Sequence, residues 1–174
     1  GLFAGASGLF GLGGGGLSFI SQVGRVYKKI FSYCLMDRDK EGLSTLTFGG
    51  LPSGVNKFTS LLRNPNLDTF YYVGLSGISV GGMLLHTIPA TAFQMDSVNG
   101  DGGVIVDSGT SVTRLVEVAY GPLRSAFRAA THTLPFVGGF SLFDTCFDLS
   151  GRTRVTLPTL SLHFEGGAFM DLPP

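Results

Sequence analysis

The sequence predicts a mainly β protein with two short helices, and three observations lead there. Short runs rich in β-branched and aromatic residues, such as FSYCLM, STLTFGG, TFYYVGLSGISVGG, VIV and LFDTCFDLS, recur along most of the chain. Glycine-rich or polar turns separate them. Helical periodicity appears in only two places, near residues 19–29 and 119–130. Of the 174 residues, 44% are apolar and 14% charged, which is ample material for a core and the reverse of a disordered composition. The length suits one domain or parts of two small ones.

Taken in order, the stretch Gly1–Gly16 contains eight glycines within an apolar run. Flexible linkers are usually polar, so this pattern points to close backbone approach. Ser18 is placed as a helix N-cap. Phe19, Ile20, Val23, Val26, Tyr27 and Ile30 follow at helical spacing with Lys28 and Lys29 at the end, predicting a helix over 19–29. From Phe31 the period becomes two, and FSYCLM, STLTFGG and TFYYVGLSGISVGG are each expected to form a strand. Between the last two, Ser53 to Asp68 is the most polar connection, expected as an exposed loop or domain boundary.

Asp96 to Gly103 carries Asn-Gly and Asp-Gly turn pairs directly before VIVDSGTSVT at 104–113. The VIV run is apolar on both faces, so a buried strand is expected there. Ala119, Tyr120, Leu123, Ala126, Phe127 and Ala130 then give a second helix. Pro122 should open it or lie in its first turn, since an interior proline breaks a helix. LFDTCFDLS, RVTLPTLSLHF and AFMDLPP complete the set of strands.

Charge and motif content narrow the chemistry. Twelve basic and twelve acidic residues cancel without a polybasic run, which argues against nucleic acid or an anionic membrane as the main partner. No apolar run is long enough for a transmembrane helix. The first residues lack the basic region of a signal peptide, and Gly1 reads as the middle of a longer protein. His86, His132 and His163 stand far apart, two cysteines make no zinc pattern, and GLGGGG lacks the lysine of a phosphate-binding loop. No metal or cofactor is expected.

Asp107 stands out. An apolar strand delivers it to a turn in which Ser108 and Gly109 permit a sharp bend. The hydroxyls of Ser108, Thr110 and Ser111 are available as donors to its carboxylate. A carboxylate held by donors stays ionised at low pH, and two carboxylates sharing a water make an acid–base pair. The same residues also suit an aspartate that merely caps a turn. Local chemistry leaves both open.

The wider pattern favours the first. VIVDSGTSVTRL resembles the second active-site loop of the pepsin-type aspartic proteases, and GLFGLGGGGLSFISQ resembles the end of their N-terminal lobe. FSYCLMDRD, STLTFGG, FYYVGLSGISVGG, SLFDTCFDLSG and LPTLSLHFEGGA are similar to the plant, nepenthesin-like branch, in order along nearly the whole chain. The resemblance implies an incomplete pepsin-like acid protease fold, a bilobal β-barrel architecture. Residues 1–52 would end the N-terminal lobe with the interlobe strands, and 53–174 would form most of the C-terminal lobe.

It further implies that Asp107 is one catalytic aspartate of two. Ser108, Gly109, Thr110 and Ser111 would belong to the active-site loop and substrate-binding region. The first aspartate loop and the covering flap would precede Gly1, so this chain alone would be inactive. An intact parent would be a monomeric endopeptidase of the secretory pathway (extracellular space or vacuole, with the chloroplast as the alternative) that takes a peptide or protein substrate in the interlobe cleft. A non-catalytic binding protein on the same fold, such as a glycosidase inhibitor, is the alternative. Family cysteines matching Cys34 and Cys146 would pair with cysteines beyond Pro174, not with each other.

Overall fold

The computed structural model describes residues 7–36, 41–51, 53–54 and 57–172. Outside them lie the first six residues of the glycine-rich stretch, residues 37–40, the expected boundary residue 52, residues 55–56 and the last two residues of AFMDLPP. The described residues are mainly β, with eleven short strands in four open sheets, none of which closes into a barrel.

The glycine-rich loop is packed tightly. A Cβ on Gly14 would lie 2.2 Å from the Asp68 carbonyl oxygen, and one on Gly13 would lie 2.8 Å from that of Thr69. Only glycine permits this approach. Ser18 then caps α1 (Phe19–Gln22), its hydroxyl accepting from the Ser21 amide at 3.3 Å. The single helix expected over 19–29 is two one-turn pieces, α1 and α2 (Gly24–Tyr27). They part at Val23, next to a glycine that favours helix poorly. Lys28 and Lys29 both adopt positive φ, which ends α2 in a left-handed cap.

Strands β1 (Phe31–Cys34) and β2 (Thr45–Phe48), each expected from its alternation, pair antiparallel. The polar connection that follows is not wholly a loop. It contains β3 (Leu61–Leu62), and Asn64 within it is buried. The Asn64 side chain explains the burial, accepting from the Asn66 and Leu67 amides while donating to the Gly100 carbonyl at 2.7 Å. TFYYVGLSGISVGG divides at Gly74 into β4 (Tyr71–Val73) and β5 (Leu75–Val80). The Glu165 side chain occupies the space a Cβ would need at Gly74, and the Glu165 amide donates to the Gly74 carbonyl.

A short β6 (Met83–Leu84) precedes β7 (Val104–Val106), which joins a three-stranded sheet in the order β3-β4-β7. The burial expected for VIV is not found: Ile105 is 39% and Val106 47% exposed. The reason is position, because β7 is an edge strand paired with β4 alone. Helix α3 (Glu117–Ala130) encloses Pro122 well beyond its first turn, against expectation. The carbonyl deprived of its donor belongs to Val118, an exposed residue where water can serve instead.

Strands β8 (Phe136–Phe140) and β9 (Phe143–Phe147) form a hairpin. Strand β10 (Leu160–Phe164) takes only the end of RVTLPTLSLHF, beginning after Pro158. With β11 (Phe169–Leu172) it completes a four-stranded sheet in the order β11-β10-β5-β6. The core lies on one face of that sheet. Leu75, Ile78, Ile88, Phe93 and Ala119 are buried together, with Val104, Leu123, Leu160 and Leu162 packed against them. Burial of each large aliphatic side chain is worth about 1.5–3 kcal/mol. Val104 begins the strand that leads to Asp107, so this core anchors the site.

Candidate active site

Asp107 directly follows β7, where the chain turns back over Ser108 and Gly109. The turn organises itself around the carboxylate. The Gly109 amide donates to Oδ1 at 2.9 Å, and the Thr110 hydroxyl donates to Oδ2 at 2.6 Å. The Thr110 amide also reaches the Asp107 carbonyl, at 3.4 Å. Each carboxylate oxygen therefore has its own donor. The Thr110 hydroxyl first, and the Gly109 amide second, hold the Asp107 carboxyl below its ordinary pKa. Of the three hydroxyls available in sequence, Thr110 alone donates to Asp107; Ser108 lines the adjoining cleft and Ser111 is exposed.

Asp107, Ser108 and Gly109 open on a cleft of about 690 Å³. Its remaining lining is largely apolar and comes from the glycine loop, β1, β3 and β4, including Phe10, Leu12, Phe31, Leu61 and Tyr71. The carboxylate is thus the fixed polar group of a concave, largely apolar surface. Tyr71 was legible in sequence only as a strand residue. Alternation carried the missing signal: Tyr72 is buried, so Tyr71 faces the other way, onto the cleft.

The other groups weighed in sequence lie elsewhere. The His163 Nε2 and the Ser79 hydroxyl share a 2.8 Å hydrogen bond, and His86 is exposed. Cys34 and Cys146 are free thiols on separate sheets. Among the described residues no three His, Cys, Asp or Glu side chains come together as a metal site, and no helix is long and apolar enough to cross a membrane.

Comparison with known proteins identifies the family. The family described as Xylanase inhibitor C-terminal matches residues 70–174, and Xylanase inhibitor N-terminal matches 1–50. Over 99% of its length the chain is 54% identical to Aspartyl protease family protein 2 of Arabidopsis thaliana, covering 36% of that protein. Over 96% of its length it is 40% identical to Aspartic proteinase nepenthesin-1 of Nepenthes gracilis, covering 38%. The chain belongs to the pepsin-like aspartic protease family, in its nepenthesin-like plant branch.

Two solved structures share the aspartic protease fold seen here. The crystal structure of edgp superposes with a TM-score of 0.84 at 17% identity, over 98% of this chain and 48% of that one. Basic 7S globulin from soybean superposes with a TM-score of 0.70 at 20% identity, over 95% and 44%. At such identities they speak for the fold alone. The chain spans a little over a third of the length of the protease relatives.

Proposed function

We propose that a protein of its relatives' length carrying this chain is an aspartic endopeptidase, with Asp107 as one of two catalytic carboxylates. The observation that carries the proposal is the turn after β7: a carboxylate with a donor on each oxygen, lining an apolar cleft. Residues 1–52 then end the first lobe, and 53–174 form most of the second. The monomer receives an extended peptide between the lobes.

In this proposal the donors of Thr110 and Gly109 keep Asp107 ionised, so it takes the proton from the attacking water. Its mate, outside this chain, holds the shared proton and polarises the scissile carbonyl. Two such carboxylates titrate as a pair. Ser108 supports the loop from the cleft side, while Gly109 and Thr110 fix the carboxylate plane. Ser111 lies exposed beside them. The 174-residue chain, with one carboxylate of the pair, should not hydrolyse peptides.

The test is hydrolysis of a mixed peptide pool at acid pH by the full-length protein and by this chain. Cleavage by the first and none by the second is expected. The family descriptions supply a second proposal, a binding protein that inhibits a glycosidase on the same fold. Intact donors on Asp107 favour the protease, because binding alone has no use for a tuned carboxylate. A full-length protein that cleaves no peptide yet inhibits a xylanase would reverse that choice.

The secretory pathway is the proposed location. Its oxidising compartments let Cys34 and Cys146, free thiols here, bond to cysteines elsewhere in the longer protein. Non-reducing peptide mapping of the full-length protein should find both in disulfides but not joined to each other. A Cys34–Cys146 peptide would contradict this.

A further inference from the structure

The glycine loop and the strand pair bearing Asp107 meet at several points. The Tyr71 hydroxyl donates to the Leu12 carbonyl at 2.7 Å, and the Gly14 amide donates to the Thr69 carbonyl at 2.8 Å. A side chain at Gly13 or Gly14 would collide with the backbone of residues 68–69. Tyr71 is also paired in register with Val106, the residue before Asp107. Its ring packs near Phe31, with centroids 6.0 Å apart. Burial pushes the Tyr71 phenol up, so it remains a donor through acid and neutral pH. Leu12, Gly13 and Tyr71 line the same cleft as Asp107. One hydroxyl thus ties a wall of the cleft to the strand ladder that delivers the carboxylate.

We propose that Tyr71 is a positioning residue for peptide hydrolysis, its hydroxyl holding the glycine loop in place as a wall of the substrate cleft. This rests on the protease assignment above. A bound peptide would run along that wall, whereas Asp107 takes its donors from its own turn, at Gly109 and Thr110. Loosening the wall therefore weakens substrate binding without disarming the carboxylate.

The test uses the full-length protein and three substitutions. Tyr71→Phe keeps the ring and removes one neutral hydrogen bond, so KM for a peptide substrate should rise roughly three- to tenfold, with kcat within about twofold. The acid limb of the pH profile should stay in place, and the Gly14 amide should exchange faster with solvent. Gly14→Ala, which pushes the loop off residue 68, should raise KM in the same direction. An unchanged KM in Tyr71→Phe, or a fall in kcat alone that follows the folded fraction, would overturn the positioning role. Asp107→Asn separates the two claims. Hydrolysis that is absent in the wild type or survives Asp107→Asn overturns the protease assignment and this role with it. A dead Asp107→Asn beside an unmoved Tyr71→Phe overturns this role alone.

Discussion

At the scale of the residue, the chemistry of the site comes down to which atoms point at Asp107. The Thr110 hydroxyl is the larger cause of its lowered pKa, and the Gly109 amide the smaller. Thr110→Val in the full-length protein removes the first donor and keeps the shape. The carboxyl pKa then rises, so the ionised base is lost at a higher pH, and the acid limb of kcat/KM should move upward in pH. An acid limb that stays put would mean that Thr110 does not set the charge of the site. The Thr110 donor was legible in sequence, because the side chains of an Asp-Ser-Gly-Thr turn lie within reach of one another, whereas the Gly109 amide was not singled out and Ser108 and Ser111 do not donate. The exposure of Ile105 and Val106 was not legible, because whether a strand lies at a sheet edge depends on partners far along the chain.

At the scale of the element, α3 is fastened to β9 by one carboxylate. Asp144 accepts from the Tyr120 hydroxyl, from Thr145 at 2.8 Å and from Arg124 at 2.6 Å. Those donors, Tyr120 first, lower its pKa to about 2. A depressed carboxyl pKa adds stability that is fully present above the unfolded value, near 4, and lost as pH falls through the folded one. The tie therefore survives through most of the range in which an acid peptidase works. Asp144→Asn in the full-length protein should lower Tm by about 1–3 °C near pH 5, with the gap closing towards pH 2. A gap independent of pH would show that the charge is not what fastens the helix.

Element types were largely legible where alternation is strong, as in β1, β2, β4 and β5. They were not where a strand is two residues long, as in β3, or carries consecutive glycines, as Gly138 and Gly139 do in β8. The helix break at Val23 and the proline inside α3 were hidden for a related reason. Each depends on the local backbone: a non-helical Val23 beside Gly24 in one case, a solvent-facing carbonyl in the other.

At the scale of the molecule, the four sheets are open and many large apolar side chains face outward. The β8–β9 hairpin alone shows Phe140 at 75% and Leu142 at 80% exposure. Open edges and exposed apolar surface favour association over a cooperative fold. The isolated 174-residue chain should therefore unfold over a broad temperature range and bind a hydrophobic dye before it melts. A single sharp calorimetric transition without dye binding would contradict this. The mainly β architecture could be anticipated from the recurring short strands, whereas the open surface could not, since burial is decided by what packs against each face.

The most direct measurement compares acid-pH peptide hydrolysis by the full-length protein with that of its Asp107→Asn variant, at equal folded concentration. Loss of activity on the order of a thousandfold or more is expected, because the amide cannot accept the proton of the attacking water. Hydrolysis by the variant at a rate near that of the wild type would mean that Asp107 is a turn residue and that the chemistry lies elsewhere.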